Sequence, residues 1–228
     1  MREYSIGTIL DISEDLDAGF VSLLSEGRDR VTFAAGDTIY HQGDPADGVF
    51  FLLSGTARSV LVSPAGHPCL LRMHLSHSLL GLTSLSAKAV RDADAVATSD
   101  CICVKIPAES FLDLMRSHPD FAVHVIRMLV DRMSDFHHRV GDFLTRTVEE
   151  RLAATLLSIS RSDPREEDPG QRRPIDLTHE ELANLLGSRR PTITAILNSF
   201  SSDGSIERRG RTIRVVDPDR LAKRLFND

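Results

Sequence analysis

The stretch "DLTHEELANLLGSRRPTITAILNSFSSDGSIERRG" (residues 176–210) decides how the carboxyl end folds. Thr178-His179-Glu180-Glu181 reads as a capping box, with Thr178 as N-cap and Glu181 reaching back from the third helical position. Leu182, Leu185 and Leu186 then supply one apolar face, and Gly187 provides the tight turn that two crossing helices need. Ile193, Ile196, Leu197 and Phe200 recur at the spacing of a second amphipathic helix. Pro191 opens that helix instead of breaking it: at or near the first position its missing N–H goes unused and its φ is already helical. It should hold Arg190, the residue before it, in extended geometry.

Working outward, "SIERRGRTIRVV" (residues 205–216) follows as two short strands around Gly210. A helix pair followed by an Arg-bearing hairpin predicts a winged helix-turn-helix. In that motif the start of the second helix enters the DNA major groove. Arginine can grip guanine O6 and N7 together, and threonine can meet a phosphate or a thymine methyl. The expected DNA contacts are Thr178, Ser188, Arg189, Arg190, Thr192 and Thr194. From the hairpin come Arg209 and Arg211, and with Arg208 and Arg214 they would face phosphates.

The formal net charge of −6 seems unsuited to a nucleic-acid partner, but its distribution is uneven. The first 144 residues carry 12 basic against 19 acidic side chains, and the remainder 15 against 14. Within residues 186–214 six arginines face only Asp203 and Glu207. A local basic patch is the footprint of DNA binding whatever the total charge.

Toward the amino end the pattern changes. From about residue 31 to 106, β-rich runs alternate with turns at Gly36-Asp37, Gly43-Asp44-Pro45, Ser54-Gly55 and Pro64-Ala65-Gly66. Turns at such short intervals predict an antiparallel barrel or sandwich. "CICVKI" (residues 101–106) is its expected last strand, closed by Pro107. "AESFLDLMRSHPD" predicts a short helix stopped before Pro119, and a long helix follows over about residues 120–144. Along it Ala122, Ile126, Leu129, Met133, Phe136, Val140 and Phe143 recur at heptad spacing, with Asp131, Arg132, Asp135 and Arg139 off the row. The barrel is complete without this row, so a dimer seam is expected. The alternative is one helix packed on its own domain. The polar segment "DPREEDPGQRRP" (residues 163–174) is expected to be a surface loop, and the domain boundary to fall near residues 145–148.

The amino end, "MREYSIGTILDISEDL", has no basic start and apolar block, so no secretory signal is expected. The longest apolar run, residues 49–53, is far short of a membrane span. Cys69, Cys101 and Cys103 are too few and too odd in number for a disulfide scaffold and suit a reducing cytoplasm. Cys101 and Cys103 would share one strand face as small buried hydrophobes.

On these motifs the chain from about residue 12 to 226 resembles the Crp/Fnr family of bacterial transcription regulators. "GDTIYHQGDPADGVFFLLSGTARSVL" (residues 36–61) is similar to the family's effector barrel, above all in its Gly-Asp-Pro-Ala-Asp and Leu-Ser-Gly turns. The heptad helix resembles the dimerisation helix, and the rest the winged helix-turn-helix. The resemblance implies an α+β fold: an antiparallel jelly-roll barrel over 1–118, a dimerisation helix over 119–145 and a DNA-binding domain over 146–228. It implies a cytoplasmic, non-enzymatic homodimer on a two-fold symmetric DNA site, with RNA polymerase as a further partner and no membrane. Arg190 would fall on a guanine-reading arginine, while Pro191 and Ala195 replace two other base-contacting residues.

Effector identity is the point of departure. Cyclic-nucleotide members carry Gly-Glu in a short helix, then Arg-Ser/Thr-Ala; the glutamate holds the ribose and the arginine the cyclic phosphate. The matching pocket residues here are Gly81, Leu82, Thr83, Ser84, Arg91 and Asp92. Leu82 stands in place of the acid, and Asp92 would repel a phosphate. Arg91 is instead expected to pair with Asp92 or Asp94. No cofactor is therefore predicted. The alternatives are a cyclic nucleotide bound through Arg91 and a haem ligated near His74 or His77, which are otherwise surface loop histidines. An iron–sulfur cluster would need amino-terminal cysteines, and the first here is Cys69. A metal-dependent cupin enzyme would need His-x-His followed by Glu, which His74-x-x-His77 does not supply, so no metal ligands are predicted.

Overall fold

A computed structural model describes residues 16, 18–63, 66, 68–160, 172 and 174–225 of the chain. The amino-terminal segment, the Pro64-Ala65 part of one turn and most of the 163–174 loop lie outside the described residues. The chain divides into two compact units, with the division between Arg132 and Met133.

The first unit is an antiparallel jelly roll with helices on one side. After α1 (Ala18–Ser25) come β1 (Arg30–Phe33), β2 (Thr38–Tyr40), β3 (Gly48–Ser54), β4 (Ala57–Val62), β5 (Pro68–His74) and β6 (Leu79–Leu80). A short 3-10 turn (Leu82–Leu85) leads to β7 (Asp94–Ala97), β8 (Cys101–Pro107) and α2 (Ala108–Ser117). One sheet has the order β1-β8-β3-β6, the other β2-β7-β4-β5. The apolar run at 49–53 is explained by β3, which is buried on both faces. Phe50 and Leu52 join Ile39, Ala95, Cys101 and Cys103 between the sheets. Val49 and Phe51 point the other way, against Leu24, Phe111, Phe121, Val125 and Met128 of the helices. Strict alternation along a strand makes this two-sided burial possible only if every position is apolar.

Helix α3 runs from Pro119 to Thr145, a turn-for-turn match to the expected long helix. Two rows share it. Phe121, Val125 and Met128 pack home into the first unit, a row the heptad reading overlooked. Of the expected seam, Ile126, Leu129, Met133, Phe136, Val140 and Phe143 are exposed, with Phe136 at 61 %, while Ala122 is half-buried. Val123, Val130 and Leu144 add to the exposed apolar surface.

The second unit continues with α4 (Val148–Ile159), β9 (Ile175–Asp176), α5 (His179–Leu185), α6 (Arg190–Ser202), β10 (Ile206–Arg209), β11 (Thr212–Val215) and α7 (Pro218–Lys223). Leu152, Leu156, Leu182, Leu185, Ile193, Leu197, Phe200, Ile213 and Leu221 form its core. The hairpin is widened by β9 into a three-stranded sheet, order β10-β11-β9. Arg224, just past α7, holds Asp203 at 2.6 Å and Glu149 at 3.0 Å, tying the ends of α6 and α7 to the start of α4.

Candidate nucleic-acid interface and effector pocket

The helix pair is built as its residues require. Thr178 Oγ1 accepts from the Glu181 N–H at 3.1 Å and donates to the Glu181 carboxylate at 2.7 Å, and the Thr178 N–H reaches the same carboxylate at 2.8 Å. Gly187 sits at φ +57°, where only glycine is unstrained. A Cβ there would also come within 2.9 Å of the Phe143 ring at the end of α3. The Phe143 ring in turn lies 4.7 Å from the Arg151 guanidinium, whose Nη2 donates to Leu186 O at 3.1 Å. The turn of the motif is thus seated on the last residues of the long helix.

Arg189, not Arg190, is the extended residue before α6: its φ and ψ are −101° and 143°. This corrects the expectation for the residue before Pro191. The first ladder bond runs from Ile193 N to Arg189 O, 3.2 Å, and closing it draws Arg190 into the first turn despite the following proline ring. Arg189, Arg190, Pro191, Thr192 and Ala195 are exposed along the start of α6, with Ser188 half-buried beside them. Thr178 and Thr194 differ from these, because their hydroxyls are engaged inside the protein. Thr194 Oγ1 donates to Arg190 O at 2.9 Å and lies 2.8 Å from His179 Nδ1.

In the hairpin, Arg209, Arg211 and Arg214 are exposed. Arg208 alternates to the other face, opposite Ile213, and its Nη2 reaches Asn198 Oδ1 of α6 at 2.7 Å. A cleft of about 410 Å³ opens between α5, the start of α6 and the hairpin, lined by His179, Glu180, Arg190, Arg208 and Arg211 among others. Sequence reasoning missed His179, although its place inside the capping box was visible.

The effector-pocket residues come together very differently. Gly81, at φ +73°, caps the 3-10 turn, and Arg91 packs beneath it. Arg91 is only 2 % exposed. Its Nη1 donates to Gly81 O at 2.9 Å, and its Nη2 to Gly48 O at 2.8 Å. Its guanidinium lies 4.3 Å from the Tyr40 ring centre and 5.5 Å from that of Phe50. A Cβ on Gly81 would collide with Arg91 Nη1. The charge partner is Asp47, 3.6 Å from Nη2, and neither Asp92 nor Asp94. Asp92 is exposed, and Asp94 accepts from the Gln42 N–H at 2.7 Å. Asp47 also holds Lys105 at 2.6 Å, and that hydrogen bond is the chief reason its carboxyl titrates below the usual range. Burial pushes the Tyr40 phenol up to about 12, so the ring under Arg91 stays neutral.

These residues are engaged differently from the cyclic-nucleotide pattern. Each outer nitrogen of Arg91 donates one N–H to a backbone carbonyl, and the Tyr40 and Phe50 rings lie 4.3 and 5.5 Å from its guanidinium. Leu82 is half-buried and packs against the helix-side core, where it offers the ribose no acceptor. Thr83 Oγ1, Ser84 Oγ and Arg91 Nε are buried without a hydrogen-bond partner.

The other candidates are dispersed. His74 is buried in β5 with Nε2 2.8 Å from Ser59 Oγ, correcting its reading as a surface histidine; the pattern of β5 against β4 turns it inward. His77 stacks on Phe51 at 6.2 Å. Among the described residues no group of three His, Cys, Asp or Glu could hold a metal. Cys101 and Cys103 are buried in the sheet core as expected. Burial pushes the Cys103 thiol up to about 12 and raises Cys101 as well, which keeps both protonated.

Comparison with known proteins agrees with this architecture. Residues 30–118 match the model of the cyclic nucleotide-binding domain, and residues 150–224 that of the Crp-like helix-turn-helix domain. The chain is 24% identical over 213 residues to a CRP-like cAMP-activated global transcriptional regulator of Mycobacterium tuberculosis, covering 93% of this chain and 95% of that protein. It is 27% identical over 194 residues to the global nitrogen regulator of Synechocystis, covering 84% and 86%. A CRP/FNR-family transcriptional regulator from Thermus thermophilus superposes with a TM-score of 0.69 at 25% identity, over 86% of this chain and 98% of that one.

Proposed function

The chain belongs to the Crp/Fnr family of transcription regulators, and from that premise we propose that it works as a homodimer reading a two-fold symmetric DNA site. This domain content is that of a regulator, which sets aside the metal-dependent cupin enzyme. The observation that carries the proposal is the exposed row Arg189, Arg190 and Thr192 at the start of α6, with Ser188 at its edge, held rigid by the Thr178 capping box and the Gly187 turn. Arg190 is the base reader, able to grip a guanine in bidentate fashion. Arg209 and Arg211 of the hairpin hold phosphates. Thr178 and Thr194 contribute by fixing the helix pair.

The seam is the exposed row of α3 from Ile126 to Phe143, with Ala122 at its start, paired with the same row of a second copy. Two reading helices would then lie about 34 Å apart in successive major grooves. The functional division follows: a sensing barrel over 1–118, the dimerisation helix over 119–145 and the DNA-binding domain over 146–228. RNA polymerase in the cytoplasm is the downstream partner.

The barrel reads a signal other than a cyclic nucleotide, because Arg91 is committed to Gly81, Gly48 and Asp47. Two contacts support transmission through α3. Arg132 Nη2 donates to Leu79 O at 3.0 Å, next to the Gly81 turn. At the other end Phe143 abuts Gly187. A signal that moves the 3-10 turn would bias the setting of α3, and α3 the reading turn, as a shift between two populated arrangements.

The test is selection of duplexes from a randomised library with purified full-length protein. Recovery of inverted half-sites about one helical turn apart, bound by a dimer in light scattering, is the expected result. Enrichment of no sequence, or binding by a monomer to a single half-site, would overturn it.

A further inference from the structure

Four nitrogen-bearing side chains line the cleft between α5, the start of α6 and the β10–β11 hairpin, and of these only Arg190 is assigned to base reading. Arg190 comes from α6, Arg208 and Arg211 from the hairpin and its turn, and His179 from α5. Glu180 is the one carboxylate among the lining residues. Glu181, beside it on α5, is turned back to the Thr178 N–H and hydroxyl. Arg208 is braced by Asn198 Oδ1, which leaves its remaining guanidinium donors for an occupant. Such a site matches a tetrahedral dianion or a phosphodiester.

The hydrogen bonds around His179 favour one tautomer. Thr194 Oγ1 has one proton and donates it to Arg190 O. With that proton so placed, His179 Nδ1 donates to Thr194 Oγ1, and Nε2 is the bare nitrogen of the neutral ring. Protonation at Nε2 adds a cation without breaking that bond. The ring is anchored, and it can change charge in place.

Resting on the DNA-binding reading above, we propose that this cleft seats one phosphate of the operator backbone and that His179 binds it as an imidazolium, taking up a proton as the DNA docks. A backbone phosphate is favoured over a free anion by continuity, since Arg190 lines the cleft and also begins the reading helix. In the free protein, burial and then the charges of Arg208 and Arg190 hold the imidazole below its usual range. A phosphate among those arginines cancels their repulsion and raises it. Each docked protomer thus carries one more proton between the two titration points, two for the dimer on its symmetric site. Affinity rises as pH falls through the bound-state value, and levels off below the free-state value.

The experiment uses full-length protein and the selected duplex at fixed ionic strength, between about pH 5 and 8. Wild type should gain up to about tenfold in affinity per pH unit for each docked protomer, and so up to about a hundredfold for the dimer, across the window. His179→Gln keeps a donor for Thr194 and should lose that part of the slope, while His179→Arg should bind tightly throughout. In NMR of labelled histidine, the duplex should raise the His179 titration. Equal slopes in wild type and His179→Gln, or a titration unmoved by the duplex, would overturn the proposal. Inorganic phosphate matching the duplex in shifting His179 at equal concentration would also overturn it, because the seat would then be one for free anions. If wild type binds no duplex at any pH, the DNA-binding reading itself falls, and this inference with it.

Discussion

Arg91 and Arg190 stand in opposite settings. Arg91 is enclosed by two carbonyls, two aromatic rings and Asp47, with its outer nitrogens bonded within the barrel. Arg190 stands exposed on the first turn of α6, where its backbone carbonyl does local work and its guanidinium does not. Both positions resemble family arginines that meet a phosphate or a base. The difference is how far the fold engages the guanidinium: in the barrel its outer nitrogens each bond a carbonyl and Asp47 lies beside it. A motif residue therefore argues for a ligand only when its donors remain unclaimed.

The largest expected effect separates these roles. Arg91→Ala would strand Gly81 O and Gly48 O in the interior and leave Asp47 to Lys105 alone. It should cost about 3 kcal/mol of stability in denaturant unfolding, the scale of removing a buried guanidinium that satisfies two interior carbonyls. A loss below about 1 kcal/mol would show Arg91 to be held loosely enough to serve a ligand. At the small end, calorimetry with cyclic AMP and cyclic GMP should register no binding to the wild-type protein. Saturable micromolar binding of either would mean that Arg91 leaves its carbonyls on demand, and the contrast with Arg190 would disappear.

Much of this was legible beforehand because it is written in local patterns. The capping box at Thr178, the turn at Gly187 and the strand punctuation from Gly36 to Gly55 each depend on residues a few positions apart. The long helix was legible from its period. What was not legible depends on chain segments far apart in sequence. Asp47 meets Arg91 across 44 positions, whereas Asp92 and Asp94 were merely its neighbours along the chain. Likewise the home-packing row Phe121, Val125 and Met128 is hidden beside the heptad row, since both repeat at the same spacing and only the barrel tells them apart. The extended residue before α6 shifted by one position because the ladder bond to Arg189 O outweighs the steric preference before a proline. The third wing strand, β9, is two residues long and carries no periodic signal of its own.

The central claim is that Arg190 reads sequence while contributing little to the fold. Its direct test is the ratio of affinities for the selected duplex and a scrambled duplex of equal length, for wild type and Arg190→Ala at one salt concentration. Loss of about 1–3 kcal/mol of discrimination, with unchanged thermal unfolding, is the result predicted. Undiminished discrimination in the variant would contradict it.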